Sequence, residues 1–219
     1  MKFAIAAAIA IVVAIGSYVG YAKYEQQKFQ ESITPHVKNA SLRLANAVRY
    51  ETEKDTKITY KELFEKLESD VAEIDKRIID VQTLATPENK EVTDPVLAYL
   101  KSSQELLRAL LQKYRTQFSV SSASDRLERE MDDLRNASYY GREYAVKSAQ
   151  RALKNFEEAG KEYADAATDV FSAAKKMTES QTKVAPFIRS DALTDIAIFE
   201  AIAQKNDVKT KDAQKSETK

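Results

Sequence analysis

The most regular alternation of small and large positions in the chain lies between residues 125 and 184. A small residue recurs there at every seventh position: Ser138, Ala145, Ala152, Ala159, Ala166, Ala173 and Ser180. Four residues after each of these, from Ala145 onward, comes a second and mostly larger residue: Ala149, Phe156, Tyr163, Val170, Met177 and Val184. A strict seven-residue repeat with small residues predicts left-handed helix pairing at a short distance of about 8 Å. We therefore predict one long helix from about Asp125 to Val184, with a helix-packing seam at the alanines and its weakest point at Gly141.

A second heptad precedes this segment. Its apolar positions are spaced alternately by four and three residues: Tyr60, Phe64, Leu67, Val71, Ile74, Ile78 and Val81. Thr59 and Glu62 have the spacing of a capping box, in which each side chain bonds the backbone amide of the other residue. The pattern predicts a helix that starts at this box and packs through one face. This helix is the predicted partner of the alanine seam.

Proline and serine mark the other predicted boundaries. Thr34-Pro35 and Asp94-Pro95 each join a capping residue to a proline at the first helical position, which predicts that helices start there. The helix after Asp94 should end at Ser119–Ser124, a serine-rich segment typical of a turn. Ser190 predicts the cap of a short helix that ends near Gln204. Residues 205–219 are mostly polar and should form a disordered charged tail.

The first 24 residues have the pattern of a membrane segment. An apolar run extends from Phe3 to Ala22, and twenty helical residues span about 30 Å, the thickness of the hydrocarbon core. The run predicts a single-pass signal-anchor helix, in which Gly16 and Gly20 form a G-x-x-x-G pattern that favours membrane-helix association. A cleaved signal peptide is the alternative, because Gly20 and Ala22 are small enough for a cleavage site. The protein would then be secreted.

The charges beside this segment support two orientations. Lysines are more numerous after the segment than before it, which favours a cytoplasmic body. The very short N-terminus with Lys2 is instead typical of a bacterial export signal. We give the export signal more weight and predict the inner membrane, with the body facing the periplasm or the cell exterior. The predicted domains are an anchor or signal segment (1–24), a membrane-proximal helical stalk (25–58), a helical bundle or coiled coil (59–204) and the tail (205–219).

Composition agrees with long helices and excludes several classes of function. Four glycines and four prolines in 219 residues leave few turns. The 34 basic and 34 acidic residues are also balanced locally along the chain, and no stretch has the basic stripe that nucleic-acid binding needs. Without cysteine, the chain has no disulfides, no thiol catalysis and no cysteine metal sites. The predicted fold is all-α: the transmembrane helix, then an elongated antiparallel bundle or coiled coil of three to four long helices, and a short C-terminal helix.

No catalytic, cofactor-binding or metal-binding motif stands out in the sequence. Zinc hydrolase motifs and carboxylate-bridged metal sites both need more than one histidine, and the chain has only His36. We therefore predict that the protein is not an enzyme and holds no cofactor. The densest aromatic patch outside the membrane segment is formed by Tyr139, Tyr140, Arg142 and Tyr144. We interpret it as bundle core at a local bend, with a ligand-binding patch as the alternative.

These patterns predict a non-catalytic, membrane-tethered helical protein of the envelope that acts as a scaffold, spacer or protein-interaction module. We expect a protein partner and no nucleic acid. The seam can close within one chain or between two, so a homo-oligomer stays open. The alternative function is an extracytoplasmic ligand-sensing bundle that signals through a separate membrane partner, because no segment after residue 25 is apolar enough to form a second span.

Overall fold

Long helices account for most of the chain that the structure describes. The computed structural model describes residue 24, residues 27–50 and residues 58–216. The helices are α1 (27–50), α2 (Tyr60–Leu84), α3 (Lys90–Asn136), α4 (Arg142–Val184) and α5 (Ile196–Ser216). Short 3-10 turns occupy Pro87–Asn89, Ala185–Phe187 and Ser190–Ala192. The prediction of an all-helical bundle of long helices is confirmed, and no strand occurs among these described residues.

The capping box at the start of α2 forms as its spacing predicts. The Thr59 hydroxyl accepts the Glu62 amide proton at 3.3 Å, and the Glu62 carboxylate accepts the Thr59 amide proton at 2.9 Å. The pairing satisfies two backbone donors that the first turn of a helix leaves open. Behind it, Leu67, Ile74 and Val81 are fully buried at heptad spacing. The predicted face is therefore buried only in part, because Tyr60, Phe64 and Val71 are half-buried.

Neither predicted proline start is where a helix begins. Helix α1 runs through Thr34-Pro35, where the Thr34 hydroxyl donates to the Gln30 carbonyl oxygen at 2.7 Å instead of capping a first turn. Helix α3 begins at Lys90 and contains Pro95. Val92 and Val96 are both buried one turn apart, and this spacing on one face requires helix before the proline. Packing outweighs the hydrogen bond that a proline removes.

Helix α3 also continues through Ser119–Ser124, where a turn was predicted. The segment has no glycine or proline, and the Ser119 hydroxyl donates to the Arg115 carbonyl oxygen at 3.2 Å, a bond that serine makes inside a helix. The chain turns instead at residues 137–141, where Ala137 is extended and the Gly141 amide donates to the Ser138 carbonyl oxygen at 3.0 Å. The single helix predicted from Asp125 to Val184 is therefore the end of α3 followed by α4.

Helix α1 is part of the bundle. Six of its apolar residues belong to the same core as residues of α2, α3, α4 and α5: Ile33, Val37, Ala40, Leu44, Ala47 and Val48. Arg43 bridges α1 to the buried Asp70 of α2 and donates to Asn39 Oδ1 at 2.9 Å. The described part of the segment expected to be a stalk is thus one of the packed helices.

Helix α5 is longer than the short helix predicted to end near Gln204. Phe199 and Ile202 anchor it in the core, and Asn206 is also buried. The helix continues to Ser216, into the segment predicted to be a disordered tail. No glycine or proline follows Pro186, so nothing in this part of the sequence breaks the helix.

Neighbouring helices among α1 to α4 run antiparallel, as the side-chain pairs between them show. Helices α1 and α2 are joined by Tyr50–Lys66 at 2.7 Å and His36–Asp80 at 3.8 Å. Helices α2 and α3 are joined by Glu68–Arg115 and Asp75–Arg108. Helices α3 and α4 are joined by Ser102–Ser180 at 2.7 Å and Glu105–Lys176 at 3.0 Å. The first described residues of α1 therefore lie at the same end of the bundle as the end of α4. The α3–α4 turn lies at the opposite end.

Candidate functional site

The last part of α3 and the first part of α4 project beyond α1 and α2. The ring of Phe118 meets the ring of Tyr60, at the start of α2, with centroids 5.3 Å apart, and the buried residues of α3 stop at Thr116. We call residues 119–162 the arm, and the base comprises residues 90–118 of α3 and 163–184 of α4. Eighteen residues of α3 lie in the arm, which makes it about 27 Å long.

The alanine seam holds the arm together. Ala145, Ala152 and Ala159 in the arm, and Ala166 and Ala173 in the base, are all buried. Helix α4 packs on α3 and α5, whereas α2 packs on α3, so the predicted pairing of the seam with α2 is wrong. Half-buried residues of α3 recur along the arm at heptad spacing: Val120, Ala123, Leu127, Glu130 and Leu134. The seam thus closes within one chain.

The tip of the arm presents three tyrosines to solvent. Tyr139 is 89% exposed, Tyr140 is 95% exposed and Tyr144 is 76% exposed. The rings of Tyr139 and Tyr140 meet edge to face at 5.6 Å, and Arg142 is exposed beside them as the first residue of α4. The interpretation of this patch as bundle core is therefore wrong, because the bend lies at the end of a two-helix arm and none of the other described helices covers it.

A partly exposed aromatic groove lies between the start of α2 and the end of the base, and the sequence pattern did not distinguish it from core. Tyr60, Phe64 and Phe118 have ring centroids between 5.3 and 6.4 Å apart and line a groove of about 550 Å³ with Thr59 and Glu68. Phe118 lies on the apolar face of α3, yet it is 47% exposed. Phe118 lies beside the first residue of α2, at the level where α1 and α2 end and the arm begins. Only the positions of the neighbouring helices reveal this exposure.

A larger cavity lies at the opposite end of the bundle. It has a volume of about 580 Å³ and is lined by Gln27, Gln30, Glu31 and Thr34 of α1 and by residues 186–189 after α4. Phe187 and Ile188 supply apolar walls, while Glu31 and Arg189 supply opposite charges. No sequence motif marks this cavity, because it depends on how the connection to α5 lies against α1.

Two titratable side chains, His36 and Tyr99, have a pKa that is shifted by burial within the bundle. His36 Nδ1 lies 3.8 Å from Asp80 Oδ2, and burial lowers the pKa of His36 although the Asp80 charge partly opposes this. Burial raises the pKa of Tyr99 to about 12, which keeps its hydroxyl neutral. Within residues 27–50 and 58–216, no three His, Cys, Asp or Glu side chains are grouped so that they could hold a metal ion.

The predicted membrane helix, with Gly16 and Gly20, falls outside the described residues. None of the helices that are described is long and apolar enough to span a bilayer.

Comparisons with known proteins do not indicate a function for this chain. No family model matches the chain, and neither a curated protein nor a solved structure shows significant similarity to it. The arm with its exposed aromatic tip is the feature from which a function can be argued.

Proposed function

We propose that the protein is a non-catalytic, membrane-tethered helical spacer of the cell envelope that binds a protein partner at the tip of its arm. In this proposal the apolar segment from Phe3 to Ala22 anchors the chain in the inner membrane, and the body faces the periplasm or the cell exterior. The observation that carries the proposal is the cluster of three exposed tyrosines at the α3–α4 turn.

Tyrosine clusters of this kind are suited to binding other proteins. A tyrosine ring brings a large apolar area to an interface with few rotatable bonds, and its hydroxyl can still form a hydrogen bond. Aromatic residues and arginine are the types that contribute most to protein interfaces, and here Arg142 adjoins Tyr139, Tyr140 and Tyr144. An exposed group of large side chains with no packing role supports an interaction site.

The position of the tip supports the spacer part of the proposal. The first described residues of α1 line a cavity with Arg189, close to the end of α4, whereas the tip lies at the start of α4. Helix α4 has 43 residues, so these two ends are about 64 Å apart. A chain held at its N-terminus would therefore present the tyrosines far from its attachment point.

Site-specific photo-crosslinking in cells tests the proposal. A photoreactive amino acid at position 140 of the full chain should crosslink a discrete partner, and the Tyr139→Ser/Tyr144→Ser background should abolish that band. The matched control carries the same group in place of Asn155, an exposed residue midway along the arm. Absence of a band at position 140, or an equal band at position 155, would contradict a binding site at the tip.

A ligand-sensing bundle is a second candidate function, favoured by the cavity of about 580 Å³ at the N-terminal end of α1. Its lining of amide, hydroxyl, carboxylate and guanidinium groups suits a small polar ligand with an apolar part. A thermal-shift screen of small molecules separates the candidates, because a ligand that binds only the folded state raises the melting temperature. Thr34→Trp should remove that shift by filling the cavity. No stabilising compound is expected if the protein is a spacer alone.

A further inference from the structure

The two helices of the arm have their weakest helical sequence at the same level. In α3 this is Ser119–Ser124, where four of six residues are serine, and in α4 it is Gly160. Serine is a poorer helix former than alanine, and glycine is the poorest after proline. Glu105 pairs with Lys176 across the two antiparallel helices. Ser121 lies sixteen residues beyond Glu105 along α3, and Gly160 lies sixteen residues before Lys176 along α4, so the weak segments are side by side.

Packing does not require a glycine at position 160. A Cβ added there would meet no neighbouring atom within 4 Å, and none of the glycines in the described residues has a positive φ. Gly160 also lies in the interior of α4, away from the helix ends where glycine serves as a cap. Its effect is therefore to weaken the helix, because glycine leaves the backbone more conformational freedom than any other residue.

The serines weaken α3 in a second way. The Ser119 hydroxyl donates to the Arg115 carbonyl oxygen at 3.2 Å, and such bonds to the preceding turn often bend a helix. Ser121, Ser122 and Ser124 are exposed, so none of the other described helices encloses their side chains. A bend at this level therefore disturbs few enclosed contacts of α3.

Support from the rest of the bundle ends just before this level. The rings of Tyr60 and Phe64, at the start of α2, lie 5.3 and 6.4 Å from the ring of Phe118 and hold the last turn of the base in place. The buried residues of α3 stop at Thr116. Farther along, the buried alanines of the seam keep the two helices of the arm together. The weak segments thus lie between two parts that are each held together by packing.

We propose that residues 119–124 of α3 and 157–162 of α4 form a hinge about which the arm tilts as a unit relative to the base. A hinge absorbs the motion in a few backbone positions, while the parts on either side keep their shape. The end of α3 lies about 21 Å beyond the hinge, so a tilt of about 20° moves the tip by about 7 Å. The exposed tyrosines then meet a binding surface at more than one angle. The hinge follows from the two helices alone and does not depend on the partner or the membrane attachment proposed above.

Distances between two spin labels on the full chain in detergent test the hinge, and the absence of native cysteine makes the labelling specific. The pair Ser69→Cys/Gln150→Cys spans the hinge, whereas Ser69→Cys/Asp169→Cys joins α2 to the base; all three residues are exposed. Pulsed electron paramagnetic resonance should give a broader distance distribution for the first pair. Gly160→Ala/Ser121→Ala/Ser122→Ala should narrow that distribution to the width of the second pair, because alanine favours the helix at all three positions.

Gly141→Ala is the matched control, because it adds the same methyl group at the far end of the arm, outside both label pairs. It should leave the distribution of the first pair unchanged. Equally narrow distributions for the two pairs would show a rigid arm, and narrowing by Gly141→Ala as well would show local unfolding of the whole arm. A broad distribution that the triple variant leaves unchanged would place the bend elsewhere. Each of these results overturns the inference. Circular dichroism of every variant confirms that it is folded, and a failed crosslink at the tip does not affect the test.

Discussion

The base and the arm of the α3–α4 pair share one alanine seam but enclose their large residues to different extents. In the base, Leu106, Leu107 and Leu110 are fully buried because α1, α2 and α4 surround this part of the molecule. In the arm, Leu127 and Leu134 occupy comparable positions on α3 but are only half-buried. The alanines of α4 are buried in both regions. A single neighbouring helix is enough to bury a methyl group, whereas a leucine needs a third or fourth helix.

This difference predicts two levels of stability within one pair of helices. Segments with few enclosed apolar contacts open locally at a lower free energy than the core does. The base should therefore unfold only with the whole protein, while the arm opens on its own. Its exposed tyrosines would then be carried on the least stable part of the molecule.

The largest expected effect comes from matched leucine truncations. Leu106→Ala removes a fully buried side chain and should lower the free energy of unfolding by about 2–5 kcal/mol because it leaves a cavity. Leu127→Ala removes a half-buried side chain and should cost roughly 1 kcal/mol. Urea denaturation measures both. Equal losses would mean that the arm encloses its leucines as well as the base does, and the comparison would fail.

Enlarging the seam should cost somewhat less and again distinguish the regions. Ala166→Leu lies in the base, where α4 is held by α3 and α5, and overpacking there should cost about 1–3 kcal/mol. Ala159→Leu lies in the arm, where the two helices can separate, so the loss should be at the lower end of that range. Thermal melting records both changes, with the exposed Asn155→Leu as control. Unchanged melting in both seam variants would mean that the seam is not packed.

The sequence predicts the buried faces better than it predicts their partners. Heptad spacing identifies Leu67 and Ile74 on α2, and the spacing of Thr59 and Glu62 predicts how that helix begins. A repeat states which face is buried but not by which helix, and α3 lies between α2 and the seam where direct pairing was expected. The exposure of Tyr139 was unpredictable for the same reason, since a bend is core or tip according to what lies around it.

The predictions of helix boundaries were wrong where a local sequence signal competed with packing. Pro95 is a strong signal for a helix start, yet burial of Val92 extends α3 before it. The serines of Ser119–Ser124 suggest a turn, but their hydroxyls can bond the preceding turn of a helix, as Ser119 does. The prediction that the helix is weakest at Gly141 was correct, because the turn between α3 and α4 ends there.

A substitution at the α3–α4 turn should stabilise the arm without affecting the base. Gly141 has φ −91°, and an added Cβ would lie 3.6 Å from Ser138 Oγ, an ordinary contact. Gly141→Ala should therefore stabilise the arm by about 0.4–1 kcal/mol, since it restricts the unfolded chain without straining the fold. Native-state hydrogen exchange should show slower exchange along residues 142–155 and no change in the base. Slower exchange throughout would mean that the arm and the base unfold together.

The smallest effect concerns pH and should be confined to the bundle outside the arm. Burial lowers the pKa of His36 below its ordinary value of 6.5, so the unfolded chain binds a proton more readily than the folded protein does. Stability from this group is therefore present above pH 6.5 and is lost as pH falls through the lowered pKa. His36 is the only histidine and the chain has no cysteine, so a slope just below pH 6.5 in urea denaturation reports this side chain. His36→Gln should flatten that slope, whereas hydrogen exchange of the arm should keep its wild-type pH dependence, because His36 packs on α2 and touches no part of the arm.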